Sequence, residues 1–255
     1  MRGVAAAFLA LFALTIAATL APLSAVAQST NQLGAWDGLM LSPIGAVAPV
    51  ARGPGSLAPG ANEISLRYGR WSYDSDDAIH DTFGITWTRG IRFAHAEISI
   101  TGAYALVECP TCSAWASGEV SAQSTLLGRT IANADYTSVQ TGLAVKLSLG
   151  GAKYLGAEAS TAGSATVTVP LDITFPLWRS SHLSAMLVPG LGFGHVTGTD
   201  FGAGGFLPMT GAAFSWTVAR VSLNVGAQRV FLSGAPTQVG AAISFRLGSA
   251  KQAAP

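Results

Sequence analysis

Three groups of side chains have the types and spacing that could do chemistry. Cys109 and Cys112 bracket "CPTC" and are the only cysteines in the chain. His182 and Ser184 stand two apart in "HLS"; on a strand both would point the same way and could share a proton, as a hydroxyl nucleophile and its base must. Asp76, Asp77 and His80 lie together, with His195 and Asp200 farther along, and carboxylates beside an imidazole activate water if they converge. What any of these groups can do depends on the compartment and on the elements that hold them.

The compartment is set by the first residues. Arg2 precedes the apolar run "VAAAFLALFALTIAATLAPL", and "SAVAQS" follows, in which Ala25 and Ala27 fit a small-x-small cleavage site. The expectation is a secretory signal peptide over 1–27 and an oxidising destination. There, Cys109 and Cys112 are expected to close a small loop disulfide. A thioredoxin-like redox pair would need a βαβ unit, and zinc would need two further ligands nearby; the sequence around them supplies neither. No metal or cofactor is expected.

Only 11% of the 255 residues are charged, against about 25% in ordinary soluble domains. Glycine reaches 30 residues and the formal net charge is +1. A water-facing surface is hard to make from that composition, and with no run of Lys or Arg a nucleic-acid partner is not expected. After Ala27 no stretch offers about twenty uninterrupted apolar residues for a spanning helix. A closed barrel is the remaining way to satisfy backbone polar groups in lipid.

The period bears this out along the chain. In "SATVTVPLDITFPLW", Ala165, Val167, Val169, Leu171, Ile173, Phe175 and Leu177 alternate with Thr166, Thr168, Pro170, Asp172, Thr174 and Pro176, which is a strand with one greasy face. Residues 28–61, with prolines at 43, 49, 54 and 59, read as an irregular leader; a plug entering a barrel is the sharper alternative. Beyond Asn62 ten strands are expected, at 62–71, 81–89, 92–107, 138–149, 152–159, 165–177, 182–195, 208–218, 221–232 and 237–247, with 249–255 as a tail. Eight is the alternative count.

The links alternate in expected length. Short ones fall at 89–91, 150–151, 178–181 and 219–220; longer ones at 72–80, 108–133, 161–164, 196–207 and 233–236. Trp87, Trp178 and Trp216 sit near short turns, whereas Trp71, Tyr73 and Tyr104 sit toward the longer loops, so two aromatic levels are expected with aliphatics between.

Together the signal peptide, dyad strands, alternating links and aromatic levels resemble the small outer-membrane β-barrel proteins of Gram-negative-type bacteria. The likeness covers about residues 62–248 and implies an all-β, closed antiparallel transmembrane barrel. One departure is the C-terminus: such barrels commonly end on an aromatic, but here "SFRLG" is followed by "SAKQAAP". Pro170, Pro176 and Pro189 interrupt the alternation, and a closed barrel has no edge strand to absorb a missing N–H; Pro170 is expected to need a bulge or a lumen water.

On this reading Arg67, Glu97, Lys146, Asp172 and Arg246 face inward and are expected to form a lumen charge network. The expected role is non-enzymatic, whether structural, adhesive or that of a narrow pore in the bacterial outer membrane. Expected partners are membrane lipid and a small solute or extracellular ligand at the loops, with the protein a monomer. Two enzyme alternatives remain. His182 and Ser184 resemble the His-x-Ser element of lipid A deacylases, although the Asn that follows in that family is Ala185 here. The acidic residues with His80 and His195 resemble the omptin-type proteases in kind but not in spacing. A soluble periplasmic β-sandwich is a third reading.

Overall fold

The computed structural model describes residues 57–72, 79–92, 95–107, 114–128, 139–155, 161–178, 181–197, 202–231 and 237–247. The expected signal peptide, the leader up to residue 56 and the C-terminal tail lie outside them. Twelve strands form one antiparallel sheet: β1 (Asn62–Ser72), β2 (Ile79–Ile91), β3 (Ala96–Val107), β4 (Trp115–Leu127), β5 (Gln140–Tyr154), β6 (Thr161–Thr168), β7 (Leu171–Trp178), β8 (Ser181–Leu187), β9 (Gly190–Thr197), β10 (Gly202–Val218), β11 (Val221–Val230) and β12 (Thr237–Leu247). β12 pairs with β1, Leu247 opposite Asn62, so the sheet closes on itself. Closure removes every sheet edge and rules out the β-sandwich.

The barrel has ten wall strands, because β6 and β7 are halves of one and β8 and β9 are halves of the next. Along β5, Lys146 faces Thr168 and Leu143 faces Leu171. Between the broken strands, Thr168 faces Gly190 and Leu171 faces Leu187. The register runs through both breaks without a slip.

Proline makes the breaks. Pro170, Pro189 and Pro208 sit on three adjacent wall strands, and each carbonyl accepts its neighbour's N–H: Ala144 to Pro170 at 3.0 Å, Val169 to Pro189 at 2.8 Å and Phe231 to Pro208 at 2.8 Å. An ordinary residue would return each bond, and a proline has no N–H to return it with. The expected bulge at Pro170 is therefore corrected to an unslipped break. The register does shift between Pro176 and Trp178, at the end of β7.

Two expected strand boundaries are also corrected, and the two errors offset each other in the count. Residues 115–127 form strand β4 inside what was expected to be the loop 108–133, because its outward positions are mostly small: Ala116, Gly118 and Ala122 flank Val120. Conversely Gly150 and Gly151 do not turn; β5 runs straight through them. A Cβ on Gly151 would stand 2.9 Å from the Ala162 carbonyl oxygen, so the glycine serves close strand approach.

The mouth at which β1 begins and β12 ends is the terminal mouth, and the opposite one is distal. Links 92–95, 179–180 and 219–220 are short and lie at the terminal mouth, but so does 128–139. The strict alternation of link lengths fails at that point. At the distal mouth lie 73–78, 108–114, 155–160, 198–201 and 231–236.

Side chains alternate across the wall. Leu66, Ile85, Ile100, Val120, Leu147, Val167, Phe193, Phe214, Leu223 and Val239, one per wall strand, are exposed on the outside. An apolar outer face present on every wall strand suits hydrocarbon and opposes water. Among the described residues no helix is long and apolar enough to cross a membrane. One member of the opening alternation departs from the pattern: Leu171, next to the proline break and facing Leu143 and Leu187, is buried.

Candidate functional site

The opposite parity lines the lumen. Hydroxyls pair within its wall: Ser65 with Ser244 at 2.8 Å, Thr86 with Thr101 at 2.9 Å, Thr88 with Ser99 at 2.9 Å, Thr174 with Ser184 at 2.8 Å and Thr217 with Ser222 at 2.8 Å. These pairs lie between neighbouring strands, so each of these hydroxyls meets its partner without reaching across the barrel. They satisfy polar groups that burial would otherwise penalise.

Arg67, Glu97, Lys146, Asp172 and Arg246 all occupy inward positions. Lys146 and Arg246 are joined to acids outside that set: Lys146 Nζ lies 3.3 Å from Glu119 Oε1, and Arg246 Nε lies 3.7 Å from Glu63 Oε2. Asp172 is buried on β7 within electrostatic reach of Glu97, and His182 is within reach of Arg246. Glu63 shares the parity of Arg67 on β1, a signal that could have found it. Glu119 was hidden by its strand having been read as loop.

The lumen is not uniformly sealed. Lys146 stands midway along β5, and its side chain is 32% exposed although it points inward. Arg67 and Gln123 are also partly exposed. Toward the terminal mouth Glu63, Glu97, Thr88 and His182 are buried. Toward the distal mouth Trp71, Trp115 and Val230 are buried, and the Trp115 ring packs at 5.2 Å on Tyr154. A partly exposed, charged middle thus lies between ends whose named inward side chains are buried.

One aromatic is placed differently from expectation. Trp71 is only 2% exposed and its Nε1–H donates to Thr82 Oγ1 at 3.1 Å inside the barrel. It shares odd parity with Glu63, Ser65 and Arg67, so it cannot face lipid. Trp87, Tyr104 and Trp216 do point outward, and the Trp216 Nε1–H donates to Ser181 Oγ at 3.0 Å. Trp87 and Trp216 are near the terminal end, and Tyr104 is near the distal end.

His182 and Ser184 share the inner face of β8, and both are fully buried. The Ser184 hydroxyl is engaged by Thr174. His195 is on the outer face and exposed. Asp76, Asp77, Asp200, Tyr73, Cys109 and Cys112, and the side chains of His80 and Trp178, lie outside the described residues. Among the described residues no group of three His, Cys, Asp or Glu could hold a metal ion.

One further segment enters the lumen, the last residues of the expected leader. Leu57 is 1% exposed, and its backbone N–H donates to Glu97 Oε2 at 3.2 Å.

No family profile matches this chain, and no curated protein does. Among solved structures it is similar to the N-terminal β-barrel domain of Pseudomonas aeruginosa OprF, at 12% identity over 74% of this chain and 98% of that one, with a TM-score of 0.31. It is also similar to the translocator domain of the autotransporter NalP from Neisseria meningitidis, at 9% identity over 74% and 89%, TM-score 0.38. A third is the Yersinia pestis attachment invasion locus protein Ail, at 10% over 74% and 100%, TM-score 0.27. The likeness is one of architecture, that of small outer-membrane barrels, with no single family fixed.

Proposed function

We propose that this protein is a non-enzymatic barrel of the bacterial outer membrane whose lumen is a narrow, charge-lined solute path, constricted at both ends. The observation that carries this reading is Lys146: a mid-wall cation, turned inward, paired to Glu119 and still wetted. A lumen built only as a packed filling would bury that ammonium or replace it. The apolar outer face carried by every wall strand supports residence in lipid. A closed wall offers no edge strand to which a second copy could add, which supports a monomer.

The competing hydrolase reading needs a nucleophile that a substrate can reach. His182 and Ser184 reach neither water nor lipid, and this favours the non-enzymatic role. The experiment is a planar-bilayer recording on protein extracted from the envelope in detergent and shown to migrate heat-modifiably. Small, charge-selective unitary steps are expected. Recovery of the protein from an aqueous extract without detergent would end the membrane reading, and loss of lipid A deacylation or peptide cleavage in His182→Ala would restore the enzymatic one.

A further inference from the structure

The segment 57–61 is held in place by three features of independent origin. First, Ala61 N–H donates to the Ala58 carbonyl at 2.9 Å, and between them Pro59 is followed by Gly60 at φ 81°. Proline at the second position and a left-handed glycine at the third are what a type II turn requires. The turn reverses the chain at the rim of the terminal mouth. Without it, the residues before β1 would run outward along the strand direction; with it, Ala58 and Leu57 fold back over the inner wall.

Second, the inner wall is notched to receive them. Gly90 lies on β2 with the inward parity of Thr86 and Thr88, its N–H donates to the Ala61 carbonyl at 3.0 Å, and its own carbonyl accepts from Gly60 N–H at 2.9 Å. A Cβ at Gly90 would collide with the backbone carbonyl oxygens of Ala58 and Leu57. The space a side chain would fill is occupied by the returning chain.

Third, Glu97, opposite Gly90 on β3, accepts the Leu57 N–H. The result is a large apolar side chain, sealed from solvent, at an end of the lumen where Glu63, Thr88, Glu97 and His182 are buried. A turn, a notch and an acceptor converge on Leu57, and an irregular tether needs none of them.

We propose that 57–61 is a stopper, in which Leu57 closes the terminal mouth, Glu97 latches its backbone and Gly90 seats the fold-back. This rests on the solute-path reading, since a stopper has a function only where there is a path. It assigns to the end of the leader the task of setting how far the lumen opens.

The test is unitary conductance of the full-length protein in planar bilayers, with heat-modifiable migration confirming that each variant is folded. Leu57→Gly removes the stopper's bulk, Gly90→Ala wedges the segment off the wall, and Gly60→Val opposes the turn without touching the lumen. All three should raise unitary conductance several-fold over wild type. Conductance in all three equal to that of a conducting wild type overturns the stopper and leaves the path standing. Silence in wild type and in every variant, with Trp71→Ala added to open the distal end, overturns the path and the stopper with it.

Discussion

Lys146 Nζ and Glu119 Oε1 are 3.3 Å apart on adjacent strands, and they form the ion pair of the wetted middle of the lumen. A third of the lysine side chain is exposed, so solvent screens the pair and its loss should cost no more than about 1 kcal/mol of stability. Its effect on permeation should be larger. Lys146→Glu places two carboxylates side by side in a confined space and should move the reversal potential under a salt gradient toward cation selectivity. Lys146→Met together with Asp172→Leu should alter conductance or the temperature of heat modification, and no change in either would remove the charge network as a functional element.

The outer and inner faces of one strand should lose stability for different reasons and by different amounts. Ile85 points outward at mid-strand on β2, and Thr86, next to it, points inward to Thr101. Ile85→Arg should cost about 2–4 kcal/mol in a bilayer if it lies near the midplane, read as a drop in urea midpoint in lipid vesicles. Thr86→Ala leaves the Thr101 hydroxyl without this partner and should cost about 1 kcal/mol. Equal costs in lipid would argue against hydrocarbon at Ile85.

The proline breaks predict a gain. Pro189 accepts from Val169 and has no N–H to return. Pro189→Val restores the donor at an unslipped register and should stabilise the barrel by about 0.5–1.5 kcal/mol, seen as a higher temperature of heat modification. A lower temperature would mean that the break is needed for curvature at this point.

The fold was legible where one face was strongly apolar. Leu143, Val145, Leu147 and Leu149 announce β5, and Ile98, Ile100, Tyr104 and Leu106 announce β3. It was illegible where outward positions shrink to Ala and Gly, as on β4: small residues keep the period but carry almost no hydrophobic contrast, so Glu119 disappeared with its strand. Paired glycines misled in the other direction at 150–151, because the same residue that permits a turn also permits two backbones to approach closely. Inward parity located Arg67, Glu97, Lys146, Asp172 and Arg246, but parity says nothing of partners across strands; those depend on register, which placed Glu63 against Arg246. Trp71 was misassigned because proximity to a strand end was weighed above the face it occupies. The fold-back at Leu57 had a signal in Pro59–Gly60, but a turn signal does not say which wall the returning chain will meet.

The two tryptophan environments can be separated. Trp71 is packed inside against Thr82, so Trp71→Ala should open a cavity and cost about 3–5 kcal/mol. Trp216 faces outward, and Trp216→Ala should cost less while reducing fluorescence quenching by brominated lipid. Quenching lost in Trp71→Ala and retained in Trp216→Ala would reverse the assignment of faces.

Because Asn62 finds its neighbour in Leu247, the first wall strand has its second partner only after the last one has been made. Any shorter nascent chain would bring two raw backbone edges into hydrocarbon, where no solvent can satisfy them. In hydrocarbon the wall must therefore close as a whole rather than strand by strand. The many long-range pairings make that closure slow.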